Sequence, residues 1–352
     1  MSLFRPEVAS LKAYTMADEA SRIKVNQNES PWDWPAELKE EAVRAASAVP
    51  FNRYPGFEEK ALTAALAERW GLSADSVLIG NGSNELLMAL FLAAVGPGRK
   101  VLLPSPTFSM YRQLALLAGA PVSEVLLKDG VSYKREAWTR ALRREKPALM
   151  LLCSPNNPTG DAYPPEALSD LIGQAPGLVV VDEAYGEFST GTARELLPKQ
   201  ENLVVLKTFS KAWGGAGLRL GYLLAATRTA AQIRKALLPY NVSPVTAGMG
   251  LLALRNAALF EKRVGVVIAE RGRLYEALGR IPGLTVYPSR ANFILVRVAK
   301  GTAGERFGAL KARGILVRDV SHLPGLERCL RLCVGSPEEN DEVLSALAEV
   351  MA

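Results

Sequence analysis

Residues 148–185 read ALMLLCSPNNPTGDAYPPEALSDLIGQAPGLVVVDEAY. Two short, continuous apolar runs, Ala148 to Cys153 and Leu178 to Val181, flank a stretch, Pro165 to Gln174, whose apolar residues recur at helical spacing. Uninterrupted Leu/Val runs of this length are what strands buried on both faces look like, and a strand, a helix and a second strand in succession form a parallel pair. Each run ends in a polar cluster: Ser154-Pro155-Asn156-Asn157-Pro158-Thr159-Gly160 after the first, Asp182-Glu183-Ala184-Tyr185 after the second.

The same alternation continues on both sides. SVLIG precedes a helix from Glu85 to Val95, KVLLP precedes one from Tyr111 to Ala118, and LVVLK and GYLLA follow. This predicts an α/β domain with a mostly parallel sheet flanked by helices, its active site at the carboxyl ends of the strands. After about Pro244 a long helical stretch runs to Leu278, then NFILVRV, GILVRDV and CLRLCVG read as strands before a closing helix from Pro337, which predicts a smaller α+β domain. The expected division is an N-terminal arm over 1–35, a large domain over 36–250 and a small C-terminal domain over 251–352. A chain of 352 residues is long enough for two cores.

Composition excludes several function classes. No apolar segment is long enough to span a bilayer, and the start carries Pro and Glu where a secretory leader needs an apolar core, so a soluble cytoplasmic protein is expected. With one histidine, His322, a multi-His metal site is impossible, and three cysteines cannot all pair. The net charge of +6 comes from scattered Lys and Arg with no interleaved aromatic residues, which is a poor nucleic-acid footprint.

The strand-end clusters carry the chemistry. Gly80-Asn81-Gly82-Ser83-Asn84-Glu85 opens a helix, where free N–H groups and the helix dipole bind phosphate. A nicotinamide site would need a third glycine, which is missing; taken alone, the loop is equally a turn with a Ser cap. Phe108, in the Pro104 to Tyr111 turn, offers a stacking face or a core ring. Asp182 after four apolar residues is costly to bury without a cation, and a protonated pyridine nitrogen is one. Asn157 and Tyr185 are able to donate hydrogen bonds to a phenolate oxygen. In Thr208-Phe209-Ser210-Lys211-Ala212-Trp213-Gly214-Gly215-Ala216-Gly217-Leu218-Arg219, Lys211 stands among small and apolar residues that would desolvate its amine, between two phosphate-binding groups, Ser210 and Arg219.

The ordered set, from Gly-rich loop through aromatic, Asn-Pro-Thr-Gly and Asp-x-Ala-Tyr to Ser-Lys-x-x-Gly-x-x-Gly-x-Arg, resembles the aspartate-aminotransferase-type enzymes of fold type I, which depend on pyridoxal 5′-phosphate. Within that group the chain looks most like the histidinol-phosphate aminotransferase family, on Asn28-Glu29-Ser30-Pro31, Arg53-Tyr54-Pro55, Ala291-Asn292-Phe293, Arg318 and Leu330-Arg331-Leu332. The resemblance implies that Lys211 holds the cofactor as a Schiff base and shuttles the proton. It gives Asp182 to the ring nitrogen, Asn157 and Tyr185 to the 3′-oxygen and Phe108 to the ring face. The phosphate falls to Gly82, Ser83, Asn84, Ser210, Arg219 and Tyr54 of a second subunit, so a homodimer with a shared site is implied. Tyr14, Asn157, Arg318 and Arg331 would bind substrate, histidinol phosphate or glutamate/2-oxoglutarate. The family more often has Tyr at Phe108 and Asn at Ser30, departures that do not touch the chemistry but leave the amino donor and acceptor range open; the alternative reading is an aromatic-amino-acid aminotransferase, or a threonine-phosphate decarboxylase, whose lysine region is similar.

Overall fold

The computed structural model describes residues 3–9, 11, 13, 21–55 and 59–352. The strands in chain order are β1 (Ile23–Lys24), β2 (Val77–Asn81), β3 (Val101–Ser105), β4 (Val122–Leu126), β5 (Leu149–Cys153), β6 (Leu178–Asp182), β7 (Leu203–Thr208), β8 (Leu220–Ala225), β9 (Leu284–Tyr287), β10 (Phe293–Val298), β11 (Ile315–Leu316), β12 (Arg318–Asp319) and β13 (Cys329–Cys333).

Seven strands form one sheet in the order β2-β8-β7-β6-β5-β3-β4. Only β8 runs against its neighbours. The continuous apolar runs follow from burial on both faces. Leu149 and Leu151 of β5 enter one core with Val180 and Val204, while Met150 and Leu152 enter the opposite core with Val179 and Val205. VSEVL of β4 does not stand out in the sequence because β4 is an edge strand, and its polar Ser123 and Glu124 are tolerated there.

The reversal of β8 places the site. Residues 209–219 must turn back at the carboxyl end of β7, and β2, antiparallel to β8, is parallel to the rest. The clusters after β2, β3, β5, β6 and β7 therefore all lie along one edge of the sheet. β8 approaches the helix Gly82–Ala94 so closely that a Cβ on Gly221 would sit 2.4 Å from the Ser83 nitrogen. Gly221 is required by that contact.

The C-terminal strands form an antiparallel sheet, β12-β13-β10-β9. The expected strand GILVRDV is divided at Val317: β11 pairs in parallel with β1 of the arm, and β12 pairs with β13. The arm is thus stitched to this sheet, with Cys333 N donating to Val25 O at 2.9 Å. The helical stretch after Pro244 is two helices, Pro244–Arg255 and Ala257–Gly279, because the Asn256 side chain turns back onto Leu252 O at 2.9 Å and caps the first. The closing helix Pro337–Met351 begins with a Ser336/Glu339 capping box. No helix among the described residues is long and apolar enough to cross a membrane.

Candidate active site

The strand-end clusters surround one cavity of about 580 Å³. Ser83, Asn84, Phe108, Asn157, Asp182, Tyr185, Ser210, Lys211, Arg219, Arg318 and Arg331 all line it. Gly82 is one step behind, covered by Arg219, and any Cβ there would lie 2.5 Å from the guanidinium. Tyr54 does not line the cavity; it is 84% exposed and stacks on Tyr240 at 4.9 Å between ring centroids. Tyr14 lies outside the described residues.

Asp182 closes the floor at the end of β6. It is buried, its Oδ2 accepting from Tyr111 Oη at 2.7 Å and its Oδ1 from Ala184 N at 2.9 Å. Burial, with the adjacent Glu183 charge, pushes its carboxyl up to about 6 against those two hydrogen bonds. The nearby cation Lys207 is engaged elsewhere, in a buried cluster with Glu183 at 3.1 Å and Glu187 at 3.2 Å. Asp182 is therefore an ionisable group suited to a cationic ring nitrogen.

This has a consequence for stability. A carboxyl whose folded pKa is raised retains its proton to higher pH than in the unfolded chain, so its favourable contribution is full below about 4 and lost as pH rises through about 6. Two pH units correspond to about 3 kcal/mol as an upper figure. Asp182→Asn is expected to stabilise the cofactor-free chain at pH 8 by about 1–3 kcal/mol, with the advantage shrinking toward pH 4, while weakening cofactor retention. Denaturant melts of the two apo proteins at both pH values check this.

Lys211 follows β7 and reaches into the cavity, Nζ donating to the Gln27 carbonyl at 2.9 Å. Burial is the first cause that lowers its amine to about 8, with the Arg331 and Arg219 charges acting in the same direction. The amine stays largely cationic near pH 7 but loses its proton far more readily than a solvated lysine, which suits a nucleophile and proton carrier.

One end of the cavity is built on the first turn of Gly82–Ala94. The helix begins at Gly82 rather than near Glu85, and no Ser cap forms: Asn81 precedes it without a side-chain cap. Ser83 and Asn84 thus occupy the positive first turn and face the cavity, with Arg219 and Ser210 opposite. Ser210 is fixed by Thr208, whose Oγ1 lies 3.0 Å from its hydroxyl and accepts its N–H at 3.1 Å. Arg219 holds a left-handed backbone, φ 51°, and donates to Ala216 O at 3.2 Å.

The far wall comes from the C-terminal sheet. Arg318 and Arg331 are direct partners across β12 and β13, so their side chains share one face. Arg331 is buried, donates to Asn157 Oδ1 and, at 2.6 Å, to Asn26 O, and lies 5.3 Å from the Phe293 ring. Like charges directly opposite are destabilising unless an anion is shared between them. Four cations line the cavity, Lys211, Arg219, Arg318 and Arg331, against two carboxylates, Glu29 and Asp182. A dianionic ligand would balance them.

Sequence reasoning placed Tyr111 in a motif without giving it a role; its contact with Asp182 needs the fold. Asn26, Gln27 and Asn28, His322 and Thr208 also line the cavity, and only the pairing of the arm with β11 and β13 brings the first three there.

The chain belongs to the aminotransferase class I and II family, whose model matches residues 21–347. It is similar to the histidinol-phosphate aminotransferase of Chlorobaculum tepidum, 39% identical over 350 residues that cover 99% of this chain and 100% of the relative. Among solved structures it resembles the histidinol-phosphate aminotransferase of Sinorhizobium meliloti in complex with pyridoxal-5′-phosphate, with TM-score 0.89, 26% identity and coverage of 100% and 98% of the two chains. The fold is shared with L-threonine-O-3-phosphate decarboxylase from Porphyromonas gingivalis, TM-score 0.82 and 23% identity, covering 93% and 98%.

Proposed function

We propose that the chain is a pyridoxal 5′-phosphate-dependent transaminase that interconverts L-histidinol phosphate plus 2-oxoglutarate with imidazole acetol phosphate plus L-glutamate, in histidine biosynthesis. The observation that carries the substrate is the Arg318 and Arg331 pair across β12 and β13, two guanidinium groups on one cavity face. They stand on β12 and β13 of the C-terminal sheet, whereas the helix start at Gly82 follows β2 of the seven-stranded sheet, so one anion site would serve the cofactor and another the substrate. The 39% identity to a histidinol-phosphate aminotransferase over the whole chain supports the same reading.

When bound, the cofactor supplies an electron sink for the substrate's α-carbon. The chain's part is to position and to move protons. Lys211 would hold the cofactor through its amine and would serve as the proton carrier. Asp182 would pair with the ring nitrogen, Phe108 would offer the ring a stacking face, and Tyr185 with Asn157 would bind the 3′-oxygen. Ser83, Asn84, Ser210 and Arg219 hold the phosphate. Arg331 takes the carboxylate of glutamate, and with Arg318 the phosphate of the other substrate. The resemblance gives Tyr14 a share in binding that phosphate.

The reading includes a homodimer, working in the cytoplasm, in which Tyr54 completes the partner's phosphate site. Tyr54, Phe51, Leu238 and Tyr240 are exposed apolar or aromatic residues, Tyr54 stacking on Tyr240, as expected of a surface that a second copy covers. The proposed division remains an arm over 1–35 and domains over 36–250 and 251–352, with the helix Pro244–Arg255 crossing the boundary between the domains, and residues of both sheets line the cavity. Tyr54→Phe is expected to keep the dimer and to weaken cofactor retention about tenfold, the worth of one charge-assisted hydrogen bond; equilibrium dialysis with sedimentation velocity checks both.

Arg318→Ala is the test of the substrate. Single-turnover amine transfer from histidinol phosphate should fall about 10–150-fold, the loss of a charged hydrogen-bond donor set, while transfer from glutamate stays within about threefold. Equal losses for histidinol phosphate and phenylalanine would overturn the phosphate role. Release of carbon dioxide instead of amine exchange would assign a decarboxylase.

A further inference from the structure

Asn28 lies in the arm, and the roles above leave it unused, yet it is among the most constrained side chains of the cavity wall. It is buried, with a left-handed backbone at φ 55° that Asn adopts more readily than most residues. Its N–H donates to Cys333 Sγ at 2.8 Å, and its carbonyl accepts from Asn292 Nδ2 at 3.1 Å. The Cys333 thiol in turn meets Asn28 Oδ1 at 3.1 Å, and Asn28 Nδ2 donates to Tyr185 Oη at 2.9 Å.

Two locked amides converge on the Tyr185 oxygen. Asn157 is oriented by Arg331, a group that only donates, so Asn157 Oδ1 must face the guanidinium and Nδ2 must donate to Tyr185 Oη, at 3.3 Å. Asn28 is oriented by the thiol: burial pushes Cys333 up, so the sulfur keeps its proton, and Oδ1 is the acceptor for it. Rotating the Asn28 amide by half a turn would leave the S–H without that acceptor and offer Tyr185 an oxygen to donate to. A phenol oxygen has two lone pairs and one proton. With both lone pairs occupied by Asn28 and Asn157, the proton is left for the cavity.

We infer that Asn28 and Cys333 are positioning residues, the thiol locking the Asn28 amide so that the Tyr185 hydroxyl proton is directed at an anionic oxygen of the bound ligand. This rests on the pyridoxal phosphate reading, in which that oxygen is the cofactor's phenolate. It also makes the seating of the arm on β13 a determinant of the proton affinity of the cofactor linkage, because a hydrogen bond to the phenolate favours the deprotonated form.

The test is a pH titration of the visible absorbance of the holoenzyme. Asn28→Asp keeps shape and backbone preference but replaces the donor by an acceptor that draws the Tyr185 proton away. The transition should move up by about one pH unit, a tenfold rise in proton affinity. Part of any shift is the added charge, so the same substitution in a Tyr185→Phe background should move the transition by less than about half as much. Cys333→Ser, which retains a donor and an acceptor, should titrate like the wild type, and Cys333→Ala should shift upward. Equal Asn28→Asp shifts in the two backgrounds, or a Cys333→Ala titration that matches wild type even where the melting temperature falls, would overturn the proposal. Should Asn28→Asp not load cofactor, the Cys333→Ser and Cys333→Ala pair decides. A wild-type chain that shows no visible band with pyridoxal phosphate overturns the cofactor reading itself.

Discussion

Lys211→Ala is expected to abolish the reducible covalent chromophore and to lower turnover by about 10⁴-fold or more, the upper range for one positioned acid–base group. The wild-type protein, loaded with pyridoxal phosphate and treated with borohydride, should carry the cofactor on a peptide containing Lys211, and the variant should carry none. The physical reason lies in the burial that brings the amine to about 8. Below that pH the neutral fraction falls tenfold per unit, so the rate at which the apo chain captures the cofactor should climb about tenfold per unit up to pH 8 and level off above it. Stopped-flow absorbance measures that rate. A rate that continues to climb to pH 10 would place the amine in an ordinary solvated environment, contrary to its position beneath the arm with Gln27 O at 2.9 Å.

Arg331→Ala has the second large effect, and it should touch both half-reactions. The side chain is a brace as well as a charge: it fixes Asn157 through Oδ1, ties down the arm at Asn26 O and lies on the Phe293 ring. Removing it takes away the cation proposed for the carboxylate of glutamate and the phosphate of the other substrate, and leaves two oxygens of the wall, Asn157 Oδ1 and Asn26 O, without that donor. The combined cost is about 3–5 kcal/mol, or roughly 10²–10⁴ in kcat/KM with either amino donor. Arg331→Lys should recover only a small part, because an ammonium lacks the fork that reaches Asn157 and Asn26 together. Arg318 differs in kind. Among the described residues no hydrogen bond ties its side chain to Asn157 or to the arm, so its loss should fall on the phosphorylated substrate alone, and the contrast between the two variants separates carboxylate from phosphate recognition.

The legible part of the site was what sits at the ends of apolar runs. Lys211, Asp182, Asn157, Tyr185 and Arg219 each follow a strand or its return, and a parallel sheet leaves them no other edge to occupy. The less legible parts have identifiable causes. β4 carries polar residues because it is an edge, and β1 is two residues long and exists only through β11. GILVRDV reads as one strand because nothing local marks Val317 as the point where the chain changes partners. Tyr111 is a fully buried aromatic whose hydroxyl finds a carboxylate far along the chain, a contact that no spacing announces.

Lys211 and its companions were set by the sequence itself, since hydrophobic periodicity fixes where strands end and the residue types there fix what chemistry is available. Tertiary structure alone decided that Arg318 stands opposite Arg331, that the arm brings Gln27 and Asn28 onto Lys211 and Tyr185, and that Cys333 orients an amide in that arm. The contacts of the arm join residues far apart in the chain, 157 positions for Asn28 and Tyr185, 184 for Gln27 and Lys211 and 305 for Asn28 and Cys333. They depend on register and packing between sheets, which a local pattern does not encode.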